Sequence, residues 1–244
     1  MEKINIITGG NGYIGSHTAL EFLRRGKKVL IIDDLSNSFE ETYISMYRDF
    51  GDLVDFLECD VRDYSQIINY VMEYDIDSII HFAALKSVPE SMEIPLDYMD
   101  VNLCGLISIL RVVEKTKPNS FIFSSSCAVY GDIGINPVTE ESDTDKQESI
   151  YALSKKLGED IILGYSGRNG NNTTFYILRY FNPIGSDHEL KIGETPRKDN
   201  FNVVGHLLKC ESDSLSFKIY GNDYLTPDGT CIRDYINITD LANS

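Results

Sequence analysis

Residues 4–18 read INIITGGNGYIGSHT. Ile4, Ile6 and Ile7 form the short apolar run of a strand buried on both faces. Gly9, Gly12 and Gly15 follow at intervals of three, and His17–Arg25 continues as a helix with Ala19, Leu20 and Leu23 turned inward. A glycine repeat alone is as well read as an ordinary turn. Between a strand and a helix it reads as a diphosphate cradle. One glycine permits the tight turn, one lets the diphosphate approach the backbone, and one lets the helix pack close to the strand. The unpaired N–H groups and the macrodipole at the helix start favour the negative charge.

Working outward, Lys28–Asp33 (KVLIID) is a second buried strand ending in an acid. A carboxylate about 20 residues past the glycines accepts hydrogen bonds from an adenosine ribose. With Asp34 beside it and no arginine nearby, Asp33 favours NAD over NADP. A helix over Glu40–Phe50, a strand over Val54–Cys59, and Asp60-Val61 at the adenine edge follow. Then come helix Tyr64–Glu73, strand Ser78–Ala83, helix Leu96–Lys115, strand Ser120–Ser125, helix Ile150–Tyr165 and strand Thr174–Tyr180. This alternation is α/β, a Rossmann-type doubly wound parallel sheet with ligands at the carboxyl ends of its strands. Gly9–Gly15, Asp33, Ala83–Lys86, Ser124–Ser126 and Phe181–Asn182 all fall on those ends. Beyond Asn182 the alternation breaks into loops, with a helix near Val203–Lys209 and a strand at Phe217–Tyr220. The reading is therefore a nucleotide domain over 1–182 and a smaller, partial substrate-binding region over 183–244.

The 244 residues carry a formal charge of −16, which argues against a nucleic-acid partner. Hydrophobic content of 42% and charged content of 25% are those of a soluble globular chain. No apolar run is long enough to span a bilayer, and the opening MEKINII reads as a strand rather than a signal peptide. Cys59, Cys104, Cys127, Cys210 and Cys231 form no CxxC pair and are odd in number, so free thiols in a reducing, cytoplasmic setting fit better than disulfides or a metal site. His188 and His206 lack ligand spacing, His81 reads as a hydrogen-bonded structural residue, and the acidic run Glu140–Glu148 as a solvated loop. The apolar spacing from Tyr98 to Leu110 is what ordinary sheet packing needs.

Tyr151 and Lys155, in the run YALSK, lie four apart and project from one helix face. A tyrosine near its unperturbed pKa of about 10 is a poor base at neutral pH. A neighbouring ammonium, together with the positive nicotinamide of a bound cofactor, stabilises the phenolate. Ser126, at the end of the fifth strand, can hydrogen-bond the same substrate oxygen.

With these residues on the page, the chain resembles the extended short-chain dehydrogenase/reductases, most closely the UDP-glucose 4-epimerases among them. The resemblance runs from Lys3 to about Ala242 and is carried by TGGNGYIGSHT, HFAALKSVPES (81–91), SSSCAVYGD (124–132), LRYFNPIGSD (178–187) and YGNDYLTPDGTCIRDYI (220–236). It implies NAD as cofactor and UDP-glucose and UDP-galactose as substrates. It equally implies a homodimer face from Tyr98 to Leu110. It implies an NAD site made of Gly9, Gly12, Tyr13, Ile14, Asp33, Asn37, Ser38, Asp60, Val61, Phe82, Ala83, Ala84, Lys86, Asn102, Tyr151, Lys155 and Phe181. Tyr151 would be the base for the sugar 4-hydroxyl, Lys155 would hold the cofactor ribose, and Ser126 would aid proton transfer. Lys86, Ser126, Tyr151, Asn182, Asn200 and Arg233 would meet the substrate, the last two at its diphosphate. Related dehydratases place an acid just after the serine of the fifth strand end; Cys127-Ala128 stands there instead.

Ile150 replaces the usual proline before the tyrosine, YALSK replaces YGKSK, Asn237 replaces a histidine, and Phe201–Val203 lacks the usual Leu-Met-Pro. None of these removes a catalytic group. Thr239-Asp240 could cap a helix that Leu241–Ser244 begins, one too short to bury an apolar face or be stable alone. Family members continue beyond this point. The expectation is a fragment or a natural short form with a partly open substrate site; the alternatives to an epimerase are a truncated, non-catalytic NAD- or UDP-sugar-binding protein and another NAD-dependent sugar-nucleotide-modifying enzyme.

Overall fold

The three isoleucines of the opening run lie in β1 (Lys3–Thr8) of a computed structural model, which describes residues 3–132, 134, 137–167, 172–189, 192–195, 202–219 and 221–244. Ile4 and Ile6 point to one side of the sheet and Ile7 to the other, and all three are buried. Helices on both faces leave no polar side, so the strand has no need to alternate. From β1 the chain runs through α1 (Tyr13–Arg24), β2 (Lys28–Asp33), α2 (Glu40–Phe50), β3 (Val54–Glu58), α3 (Tyr64–Val71) and β4 (Asp75–His81). It continues through α4 (Val88–Glu93), α5 (Pro95–Met99), α6 (Gly105–Thr116), β5 (Ser120–Ser126), α7 (Ile150–Ser166) and β6 (Thr174–Tyr180).

The six strands are parallel in the order β3-β2-β1-β4-β5-β6. The winding reverses between β1 and β4, and the crevice opened there at the strand ends is where such sheets bind ligands. Ile7, Ala19, Leu23, Val29, Ile31 and Met46 form the core on the side of α1 and α2. The opposite, larger core joins Ile4, Ile6, Leu30 and Ile32 to side chains of α3, α6 and α7.

Four expectations are corrected. The single helix expected over Leu96–Lys115 is α5, a π-helical turn at Asp100–Cys104, and α6. The extra residue of that turn carries Asn102 into the interior, a placement that π-turns make at functional sites. The strand expected at Phe217–Tyr220 is absent from its described part, 217–219, where Ile219 is 70% exposed and no partner strand offers a ladder. After Asn182 the chain forms β7 (Asn182–Ile184), α8 (Val203–Ser212), β8 (Tyr235–Asn237) and α9 (Ile238–Asn243), with β7 and β8 paired in parallel. The cap of α9 is Asn237, whose side chain accepts from the Thr239 N–H, and not Thr239 or Asp240. Short as it is, α9 buries Ile238 and Leu241 by lying against α1, which supplies the surface an isolated helix lacks. Among the described residues no helix is long and apolar enough to cross a membrane.

Candidate active site

The turn between β1 and α1 is shaped by close backbone approach. Gly9 has φ +67°, donates its N–H to the Ile32 carbonyl at 2.8 Å, and accepts from Gly12 N–H at 3.1 Å. A Cβ on Gly15 would stand 2.2 Å from the Gly9 carbonyl oxygen, so α1 begins hard against the turn. Gly12 precedes α1 and no side chain caps it, which leaves the first helical N–H groups facing outward. Asn11 donates its backbone N–H to Asp33 Oδ2 at 3.0 Å. Its own amide is buried and has no hydrogen-bond partner among the described residues. An orphaned buried amide beside uncapped helical N–H groups fits a site built around an additional polar group.

Asp33 ends β2 and is itself buried. Burial pushes its carboxyl up, while hydrogen bonds from Ser38, Leu35 and Asn11 pull the other way. Its Oδ1 accepts from the Leu35 N–H at 3.0 Å and the Ser38 hydroxyl at 2.8 Å. Ser38 thus reaches the site through Asp33, and Asn37 lies exposed beside it. Asp60 is held below the usual carboxylate range by Arg62, which also meets Asp100 on the π-helical turn. Val61 is buried under α6: a Cβ on Gly105 would come 2.8 Å from its Cγ2.

The segment after β4 interlocks with the glycine turn. Phe82 and Ala83 donate their N–H groups to the Thr8 carbonyl at 3.0 and 3.1 Å. Asn102 braces the next residues: its Oδ1 accepts from Leu85 N–H at 2.8 Å, and its Nδ2 donates to the Leu85 carbonyl at 3.1 Å and Ser154 Oγ at 2.9 Å. Ser154 in turn donates to the Tyr151 carbonyl at 2.7 Å. Asn102, expected at the cofactor, has protein partners on both sides and ties the Ala84–Lys86 loop to α7. Lys86 pairs with Glu194 at 3.5 Å, and the Tyr13 hydroxyl donates to the Gly185 carbonyl at 2.6 Å, so Glu194 meets the loop after β4 and Gly185 the start of α1.

On α7, whose N-cap Ser149 accepts from the Ala152 N–H at 3.1 Å, Tyr151 and Lys155 face the end of β5. Lys155 is buried; its Nζ donates to the Ser124 carbonyl at 2.7 Å and lies 5.0 Å from the Phe123 ring centre and 6.0 Å from that of Tyr151. Burial lowers its pKa from 10.5 to about 8. The Tyr151 hydroxyl is pushed up by burial, and a hydrogen bond from Ser126 opposes that push. Ser126 Oγ accepts from Ala128 N–H at 3.2 Å, which leaves its proton to donate to the tyrosine oxygen. Lys155 and Ser126 thus both act at the strand end that Tyr151 faces, and burial keeps the tyrosine neutral at rest. Cys127 lies next to them, and the exposed Arg233 is close enough to Cys127 to lower its thiol pKa against the larger effect of burial.

Phe181 is 37% exposed at the end of β6, and Asn182 donates its side-chain amide to the Asp234 carbonyl at 2.8 Å. Asn200 lies outside the described residues. Sequence reasoning missed the ion pair of buried Glu159 with half-buried Arg179 behind β5; the eight-residue step from Tyr151 to Glu159, which keeps one helix face, was the available signal. It also missed Arg24 of α1, which binds Asp187 at 2.6 Å and for which the local sequence gives no cue.

The model of the family described as "NAD dependent epimerase/dehydratase family" matches residues 5–244. The UDP-glucose 4-epimerase of Yersinia enterocolitica is 39% identical over 238 residues, covering 97% of this chain and 70% of that protein. The UDP-glucose 4-epimerase of Drosophila melanogaster is 37% identical over 244 residues and is covered to 69%. In three dimensions the chain is similar to UDP-glucose 4-epimerase from Bifidobacterium longum in complex with NAD+ and UDP, with a TM-score of 0.92 and 36% identity over 99% of this chain and 72% of that one. With its parallel sheet, glycine turn and Tyr–Lys helix, the chain belongs to the NAD dependent epimerase/dehydratase family.

Proposed function

We propose that the protein interconverts UDP-glucose and UDP-galactose through transient oxidation of the sugar at C4. The observation that carries this reading is the joining of Tyr151, Ser126 and Lys155 at the same sheet edge as the Gly9–Gly15 turn and Asp33, in a chain 39% identical to a UDP-glucose 4-epimerase. Gly9, Gly12, Tyr13 and Ile14 would hold the diphosphate of NAD, Asp33 with Asn37 and Ser38 its adenosine ribose, and Asp60 and Val61 the adenine. Phe82, Ala83, Ala84, Lys86 and Phe181 would enclose the nicotinamide half, with Asn102 as their brace. When bound, NAD supplies the acceptor and later the donor of the C4 hydride.

The chain's own residues handle the proton. Tyr151 takes it from the 4-hydroxyl as the carbonyl forms and returns it to the oxygen on the other face of the ring. A buried tyrosine resists ionisation, so the reaction needs the nearby Lys155 cation and the Ser126 hydroxyl to stabilise the phenolate. Lys155 reaches this role already partly desolvated, which strengthens its field at short range. Lys86, Asn182, Asn200 and Arg233 would hold the UDP-sugar, with Asn200 and Arg233 at the diphosphate. The division into a nucleotide domain over 1–182 and a substrate region over 183–244 belongs to the same proposal. So does a cytoplasmic setting, in keeping with five cysteines that are all free.

A second copy is proposed to cover the α6–α7 face. Ile107, Leu110, Ile161 and Tyr165 line a groove there of about 400 Å³ with Arg111 and Glu114, and Leu163 beside it is 62% exposed. Arg111 and Glu114, three apart on α6, can exchange partners across a two-fold axis, as an isologous interface requires. Sedimentation should give a dimer, and Leu163→Glu a monomer; a monomeric parent chain contradicts the arrangement.

The test of function is the nucleotide released on denaturing the purified protein, followed by turnover of UDP-galactose in the same batch. NAD with UDP-glucose as product supports the proposal. A 4-keto-6-deoxy sugar nucleotide would make the protein a dehydratase, and NAD without turnover would make it a binding protein.

A further inference from the structure

Behind the catalytic strand end lies a charge cluster, built on a buried carboxylate, with no part in the proton transfer just described. Glu159 of α7 is 2% exposed. Arg179 of β6 holds it at both oxygens, Nε to Oε1 at 3.0 Å and Nη2 to Oε2 at 2.7 Å. Its Oε1 also accepts the hydroxyl of Ser125. Ser125 and Arg179 are direct cross-strand partners in the β5–β6 ladder, so Glu159 closes a triangle over two strands and one helix. The far side of Arg179 is fixed too. Its Nη1 donates to the Tyr130 hydroxyl at 3.1 Å and to the Glu140 carbonyl at 3.0 Å, and its guanidinium stacks 4.9 Å from the Tyr130 ring centre.

This cluster brackets the residues that must be held still. Tyr151, Lys155 and Glu159 are spaced four apart, and two successive turns of α7 take hold of the strand end. Lys155 holds the carbonyl of Ser124 and Glu159 the hydroxyl of Ser125, two residues and one residue before Ser126, whose hydroxyl opposes the upward push of burial on Tyr151. Ser126 and Cys127 therefore lie between two anchored points, Ser125 before them and Tyr130 after. A bidentate arginine–carboxylate pair fixes direction as well as distance, which a single hydrogen bond does not. Proton transfer between Tyr151 and a sugar hydroxyl needs that precision, because a displacement of about 1 Å can lower the rate on the order of 100-fold.

Resting on the epimerase reading above, we propose that Glu159, clamped by Arg179 and Ser125, is a positioning residue that sets the distance between the α7 base and the β5 strand end. It does not touch substrate. Its effect passes through Ser125 to Ser126 on one side and along α7 to Tyr151 on the other. A merely structural pair would add stability and leave the Tyr151–Ser126 contact unchanged once the protein had folded.

The test uses Glu159→Gln in the full chain, with Ser125→Ala as a milder second variant that removes one hydroxyl and leaves the ion pair intact. Two readouts are taken on folded protein. The first is the ultraviolet titration of Tyr151, isolated as the difference between each protein and its Tyr151→Phe partner; it needs no turnover. The Tyr151 midpoint is expected to move upward in both variants, because a loosened Ser126 stabilises the phenolate less. The second is turnover of UDP-galactose, where kcat should fall about tenfold or more in Glu159→Gln while KM stays within about twofold. Unchanged Tyr151 titration in both variants overturns the positioning role, whatever the turnover. A normal titration shift with no turnover in the parent chain keeps the positioning role and overturns the epimerase reading instead.

Discussion

Replacing Gly15 by alanine tests the nucleotide cradle at its tightest point. An added Cβ would lie 2.2 Å from the Gly9 carbonyl oxygen and 2.9 Å from Gly10 Cα, where ordinary contact begins at 3.4 Å. The atoms it meets are backbone, so no rotamer change relieves the overlap. Helix α1 must lift from the turn by about 1 Å, a separation set by that shortfall in contact distance. Overpacking of this kind costs about 1–3 kcal/mol, and a rigid backbone neighbour points to the upper end. At roughly 2–4 °C per kcal/mol for a chain of this size, Tm should fall by about 6–12 °C. The same shift withdraws the α1 N–H groups from the diphosphate, so the purified variant should carry little or no NAD. Gly26→Ala is the control: φ there is +68° and nothing lies within 4 Å of an added Cβ. It should lose about 1–2 kcal/mol through backbone strain alone and keep its nucleotide. Calorimetry and the absorbance of released nucleotide read both effects. A Gly15→Ala protein with a full complement of NAD and Tm within about 1 °C of the parent would refute the account of the turn.

Other outcomes follow from the charges buried near the site. Lys155 has its pKa lowered from 10.5 to about 8, so its buried cation destabilises the fold below pH 8, and the penalty fades as pH rises from 8 to 10.5. At pH 7 the penalty is up to about 3 kcal/mol, partly offset by the Ser124 carbonyl and the Phe123 ring. Nucleotide-free Lys155→Met should therefore be at least as stable as the parent at pH 7 in urea unfolding, while turnover drops on the order of 100-fold or more; a variant less stable than the parent by more than about 1 kcal/mol contradicts this. His81, donating or accepting at Thr8 Oγ1 at 2.7 Å, has its pKa lowered by burial from 6.5 to about 3. Its neutral form stabilises the fold fully above pH 6.5, and that stability is lost as pH falls toward 3, by up to about 1.4 kcal/mol per pH unit. Urea unfolding of His81→Gln should show a shallower acid limb between pH 6.5 and 5, and parallel curves would be the contrary result. Asp33→Ala removes charged hydrogen bonds worth about 1.5–3 kcal/mol each, so titration calorimetry on stripped protein should find NAD bound at least about tenfold more weakly; equal affinity would remove Asp33 from the ribose site.

Much of the sheet was legible because its signals are local. The isoleucines of β1, the glycines at intervals of three and the acid ending β2 lie within one short stretch, and glycine spacing depends on backbone geometry that few other residues permit. Helix α2 and strand β6 match their expected bounds, Glu40–Phe50 and Thr174–Tyr180. The Tyr151–Lys155 pair was readable because helical periodicity alone puts both on one face. The π-helical turn at Asp100–Cys104 was not readable, since its apolar spacing is close to that of an α-helix and only Asn102, with partners at Leu85 and Ser154, reveals the need for it. Nor was the burial of α9, which depends on α1 far away in sequence. The hydrogen bond from the Asn182 side chain to the Asp234 carbonyl shows the same limit: partners distant in the chain leave no periodic trace.

The most direct measurement is to supply UDP-galactose carrying deuterium at C4 and examine the UDP-glucose formed by NMR and mass spectrometry. Conversion should keep the label at C4, because hydride leaves that carbon and returns to it within one site, and Tyr151→Phe should show no conversion. Loss of deuterium to water, or conversion that survives removal of the Tyr151 hydroxyl, would contradict it.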